Sequence, residues 1–117
     1  MKDLELKVGN LKIGNKLPFV LISGPCAIEN LDHTLYHAQK IKSICDKLQI
    51  PLIFKSSFNK ANRTSIDSLR GIGMDEGLKI LMKVKLEFDI PILTDVHESN
   101  QCQAVGEVVD VIQIPAF

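Results

Sequence analysis

The sequence predicts an α/β fold: about half of a (β/α)8 barrel, a TIM barrel, preceded by a β-hairpin. Three observations carry this. Four short apolar segments recur along 117 residues, helical patterns with one apolar face separate them, and the run of each segment ends in polar side chains.

The opening stretch LELKVGNLKIGNKL, residues 4–17, alternates apolar and polar residues around Gly9-Asn10, which predicts two antiparallel strands joined by a tight turn. Residues 1–17 are therefore placed ahead of the first strand–helix unit, as a hairpin capping the bottom of the barrel, and residues 18–117 form the units themselves.

The four apolar segments are FVLISG at 19–24, LIFKSSF at 52–58, IPILTDV at 90–96 and VVDVIQIPAF at 108–117. Pro18, Pro51 and Pro91 stand at the starts of the first three, where a missing N–H does no harm to a ladder. Near-continuous apolar runs of this kind read as strands of a parallel sheet buried on both faces. Between the first pair, Leu35, Ala38, Ile41, Cys45 and Leu48 fall on one face of a helix. Between the second, Met74, Leu78, Leu81, Val84 and Phe88 do the same. The third connection, about 99–107, is short and carries only a weak helical pattern. No G-x-G-x-x-G follows the first strand, which argues against a dinucleotide fold. Three units and a fourth strand are about half of a barrel that typically needs ~250 residues. The expectation is an N-terminal portion of a single barrel domain belonging to a longer protein.

Composition narrows the function. Fourteen basic and fourteen acidic residues balance, so no field of one sign is available for nucleic acid or an anionic membrane, and any bound anion must be held by a local cluster. The N-terminus lacks the pattern of a secretory signal, and no apolar run approaches the ~18 residues that span a bilayer. Cys26, Cys45 and Cys102 are odd in number and widely spaced, which disfavours a disulfide framework and fits a reducing cytoplasm.

In parallel α/β folds the site forms at the carboxyl ends of the strands. Cys26 and Glu29 follow the first run; Lys55, Ser57 and Lys60 lie at and after the second; Asp95, His97 and Glu98 end the third; Gln113 lies near the end of the fourth. Loops after strands are polar for solvation alone, so each residue also has a bland explanation. Lys55 is the exception, because it sits within an apolar run on the face it shares with Ile53 and Ser57. A lysine there needs an anion or a counter-ion. Lys60, Arg63 and Arg70 follow with Asp67 as the one acid among them, which points to phosphate or carboxylate; Asp95 is the alternative, a counter-ion for Lys55. Cys26 lies in a Gly24-Pro25 turn, and by spacing alone a lone cysteine packs more often than it ligates. Cys45 sits on the apolar helix stripe, and His33 and His37 fall toward the solvent side of that helix.

The segments LISGPCAIEN, FKSSFNKANRTSIDSLRG, ILTDVHES and DVIQIPAF resemble the 3-deoxy-D-manno-octulosonate 8-phosphate synthase family over nearly the whole chain. KANRTS is the specific part; the related 3-deoxy-heptulosonate phosphate synthases share the G-P-C turn but carry K-P-R-T-S-P after the second strand. The resemblance implies a barrel enzyme that condenses phosphoenolpyruvate with arabinose 5-phosphate, releasing phosphate on the route to lipopolysaccharide, and a homotetramer when complete. It assigns Lys55, Ser57 and Lys60 to phosphoenolpyruvate, with Gln113 and the backbone near Ala116 beside them. Asn62, Arg63 and Thr64 match the segment that holds the pentose phosphate and reaches a neighbouring subunit's site. Asp95 matches a residue near the sugar hydroxyls and the metal, with His97 next to it. Cys26 matches the branch that uses a divalent metal (Fe, Zn or Mn), whose remaining ligands come from later strands. Asn59 stands where Asp is expected, and Thr64 where Ser is common. Two other readings stay open: an aldolase using Lys55 as a Schiff base, and a non-catalytic half-barrel that binds phosphorylated ligands.

Overall fold

In a computed structural model, which describes residues 3–59 and 72–116, the hairpin consists of β1 (Glu5–Val8) and β2 (Leu11–Gly14), paired antiparallel with Val8 opposite Leu11. Gly9 supplies the positive φ of +57° that the two-residue turn requires, beside Asn10 as expected. The rest is a four-stranded parallel sheet in sequential order: β3 (Leu21–Ser23), β4 (Leu52–Lys55), β5 (Ile92–Asp95) and β6 (Val111–Gln113). Helix α1 (Leu31–Leu48) connects β3 to β4, and α2 (Met74–Phe88) lies between β4 and β5. A 3-10 turn at Ser99–Gln101 runs into the short α3 (Cys102–Gly106) before β6, the abbreviated third connection that the sequence allowed. Sequential parallel strands with helical crossovers are the βα architecture of a partial barrel.

Local chemistry sets the helix limits. The Asn30 side chain accepts from the His33 N–H at 2.8 Å and so satisfies one of the free donors at the start of α1. Gln49 and Asp89, the residues after α1 and α2, both adopt left-handed backbone, and each is followed by Ile-Pro and then a strand. QIP at 49–51 and DIP at 89–91 are thus the same helix-to-strand connection used twice, 40 residues apart.

The core lies between the helices and one face of the sheet. Leu52, Phe54 and Phe58 from the β4 region and Ile90, Ile92 and Val96 from the β5 region pack with Ala38, Cys45, Leu78, Leu81, Val84 and Val105. Fully burying an apolar side chain of this size stabilises by roughly 1.5–3 kcal/mol. Burial on both faces holds for the central pair β4 and β5; β3 and β6 are half-buried, and Ile22 is 49% exposed. Leu48, placed by periodicity on the apolar stripe of α1, is 63% exposed, because it falls in the last turn, beyond Cys45. His33 and His37 are half-buried rather than solvated: His33 pairs with Glu29 at 3.0 Å, and the two rings lie 4.2 Å apart, tilted by 45°. Among the described residues, no helix is long and apolar enough to cross a membrane.

Candidate active site

Strand pairing decides which polar residues meet. Phe54 pairs with Ile92 and Lys55 with Leu93, so β4 and β5 run in register at an offset of 38, whereas the two units repeat at 40. The same offset carried past the strand end sets Ser57 beside Asp95. Asp95 pairs with Gln113, and an isolated bridge joins Ala27 to Ser57. One row therefore crosses the sheet at its carboxyl end: Ala27, Ser57, Asp95, Gln113. Lys55 lies on the same face as Ser57, one step below it in the alternation.

The turn at 24–26 is seated on β4. A Cβ on Gly24 would lie 1.8 Å from the Lys55 carbonyl oxygen, so glycine is what lets the two backbones approach. Ser23 pairs with Phe54 and Ala27 with Ser57, four residues against three, so Gly24-Pro25-Cys26 holds one extra residue. The Ser56 hydroxyl donates to the Pro25 carbonyl at 2.6 Å and the Thr94 hydroxyl to the Ser56 carbonyl at 2.7 Å, completing main-chain acceptors where the ladder ends. Cys26 itself is exposed.

At the centre of the row is Asp95, 6% exposed. Its Oδ1 accepts from the Ser57 hydroxyl, and its Oδ2 lies 3.2 Å from Nε2 of His97. The same Nε2 lies 2.9 Å from the Asn59 carbonyl oxygen. Both neighbours accept and neither donates, so Nε2 carries a hydrogen. A carboxylate this buried is sustained by such charge-assisted bonds. Asp95 is thus engaged by Ser57 and His97, and it is not the counter-ion of Lys55. Lys55 is half-buried and has no ion pair or hydrogen bond with any described residue.

The family model described as the DAHP synthetase I family matches residues 3–117. The chain belongs to that family. Among curated relatives, 2-dehydro-3-deoxyphosphooctonate aldolase of Rickettsia rickettsii (strain Sheila Smith) is 60% identical over 112 residues, which is 96% of this chain and 41% of that protein. The proteins of the same name from Rickettsia prowazekii (strain Madrid E) and Rickettsia felis (strain ATCC VR-1525 / URRWXCal2) are 59% and 58% identical over the same shares. The chain thus spans about two fifths of the length of the curated relatives it matches. Their name agrees with the octulosonate resemblance rather than the heptulosonate one.

Of the residues singled out from sequence, the fold brings Ser57, Asp95, His97 and Gln113 to one end of the sheet, with Lys55 beneath them on the same face. Ala116 borders a pocket of about 380 Å³ shared with His97, Cys102 and Ile114. Lys60, Asn62, Arg63 and Thr64 lie outside the described residues. Asn59, the departure from the family pattern, makes its contact to His97 through its carbonyl oxygen, a group that any residue would supply. Among the described residues no group of three His, Cys, Asp or Glu could hold a metal ion, so Cys26 does not make a site with the other described side chains. Ser56, Thr94 and Gln101 do not stand out in the sequence. The first two were legible only as hydroxyls at strand ends, and Gln101 as the residue three after Glu98, the spacing of a capping box.

Proposed function

We propose that the chain is part of an enzyme that condenses phosphoenolpyruvate with arabinose 5-phosphate to give 3-deoxy-D-manno-octulosonate 8-phosphate and phosphate, in lipopolysaccharide synthesis. The observation that carries this is Lys55, a cation on the sheet face at its carboxyl end with no described partner, beside a carboxylate already committed to Ser57 and His97. The name borne by the relatives, 2-dehydro-3-deoxyphosphooctonate aldolase, supports the same reaction.

The reaction joins two multiply charged anions, and their repulsion opposes the approach of C3 of the enol to the aldehyde carbon. Fixed cations offset it. Lys55 and Lys60, with Ser57, Gln113 and the backbone at Ala116, hold phosphoenolpyruvate; Asn62, Arg63 and Thr64 hold the pentose phosphate; Asp95, steadied by His97, faces the sugar hydroxyls. C3 bonds to the aldehyde carbon, water adds at C2, and the C–O bond to phosphate breaks. Cys26 would supply one thiolate to a divalent metal (Fe, Zn or Mn), with the remaining ligands expected from later strands; a metal held there would contribute Lewis acidity. The three free cysteines support a cytoplasmic location, and the working assembly in this reading is a homotetramer.

Phosphate release from phosphoenolpyruvate, measured with and without arabinose 5-phosphate, tests the reading. Release that depends on the sugar and is abolished by a chelator is expected. Binding of both phosphate esters without release favours a non-catalytic half-barrel, and a borohydride-trapped adduct at Lys55 favours a Schiff-base aldolase. Full activity after replacement of Cys26 overturns the metal assignment.

A further inference from the structure

The turn that follows β5 is held by a side chain that no substrate need touch. Oε1 of Gln101 accepts from the His97 main-chain N–H at 2.9 Å and from the Glu98 N–H at 3.3 Å. The contact is reciprocal, since the Glu98 side chain accepts from the Gln101 N–H. Two residues thus pin the turn from 97 to 101 at both ends. The imidazole of His97 starts from the pinned residue and ends between Asp95 and Asn59, with Nε2 within 3.2 Å of the carboxylate and 2.9 Å of the carbonyl. With the Cα fixed, two side-chain torsions decide where Nε2 falls. A backbone free to rotate at 97 would carry the ring out of hydrogen-bonding range.

We infer that Gln101 is a positioning residue of the site. Through the main chain of His97 it fixes the ring that orients the Asp95 carboxylate and ties down Asn59, the last described residue before the Lys60–Thr64 segment. An ordinary helix-start cap stabilises its helix and leaves a distant imidazole unaffected; this one is coupled to the imidazole because the donor it accepts from belongs to the histidine itself. The consequence for turnover rests on the condensation proposed above, whereas the geometry does not.

The test reads His97 directly. In 15N-labelled protein, long-range proton–nitrogen correlation spectra report which ring nitrogen carries the hydrogen. Wild-type protein is expected to show His97 in the Nε2–H form. Gln101→Met keeps the bulk but has no oxygen, and it is expected to give an averaged mixture of the two neutral forms, with kcat/KM for the pentose phosphate lowered roughly tenfold to a hundredfold. Gln101→Glu retains the acceptor and is expected to restore the wild-type signature. An unchanged His97 spectrum in folded Gln101→Met overturns the inference; so does an averaged spectrum in Gln101→Glu, which serves where the methionine variant fails to fold. A wild-type protein that shows the Nε2–H signature but releases no phosphate counts against the condensation alone.

Discussion

The Ser57 hydroxyl donates to Oδ1 of Asp95, 38 residues further along the chain, and both side chains are almost wholly buried at the carboxyl end of the sheet. That bond, with the His97 contact on the other carboxylate oxygen, keeps a negative charge inside the protein without recruiting Lys55.

Asp95→Asn keeps the shape but removes the charge that both donors meet. We expect it to lower folding stability by about 1–3 kcal/mol, read as a shift in the urea midpoint. A variant as stable as wild type would show that the carboxylate is not sustained by these donors.

Lys55→Met is expected to have the opposite character. With no described partner for the ammonium, its loss should change stability by no more than about 0.5 kcal/mol, while phosphoenolpyruvate affinity, measured by titration calorimetry, falls at least about tenfold. A large loss of stability would mean that Lys55 serves the fold.

Gly24→Ala forces a methyl to within 1.8 Å of the Lys55 carbonyl oxygen and 2.8 Å of its carbon. These are backbone atoms and cannot swing aside, so the turn must shift. A cost of about 1–3 kcal/mol is expected, measurable by chemical denaturation. A near-neutral result would mean that the turn does not sit on β4 as described.

The cysteines should separate by reactivity. Cys26 is exposed, whereas burial, with a smaller contribution from the Asp46 carboxylate, pushes the Cys45 thiol above its ordinary value. Maleimide labelling at neutral pH, followed by mass spectrometry, should modify Cys26 well before Cys45. The sign for stability follows from linkage. With the folded value raised, the contribution is intact below the ordinary thiol value of 9.0 and is lost as pH rises through the folded value. Replacing Cys45 by Ala should remove that alkaline decline, compared in urea titrations at neutral and high pH.

The sequence by itself determined the units. Apolar runs with proline at their starts, helices with one greasy face, and the twice-used QIP and DIP connections are local patterns, and local patterns fix backbone conformation. Gly9-Asn10 specified the hairpin turn for the same reason, and the clustering of polar residues after each run located the end of the sheet where Ser57, Asp95 and Gln113 gather. The tertiary structure alone decided which of those residues meet. Lys55 and Asp95 close equivalent strands 40 residues apart, and composition made them candidates for a pair. The sheet pairs at an offset of 38, so Ser57 reaches Asp95 and Lys55 falls a step below. Likewise, Leu48 follows the apolar stripe of α1 yet lies in solvent, while His33, read as solvated, is half-buried against His37. Periodicity records how a segment folds on itself. Register and burial are set by how twisted strands shear past one another and where the neighbouring helix ends, and those are properties of residues far apart in the chain.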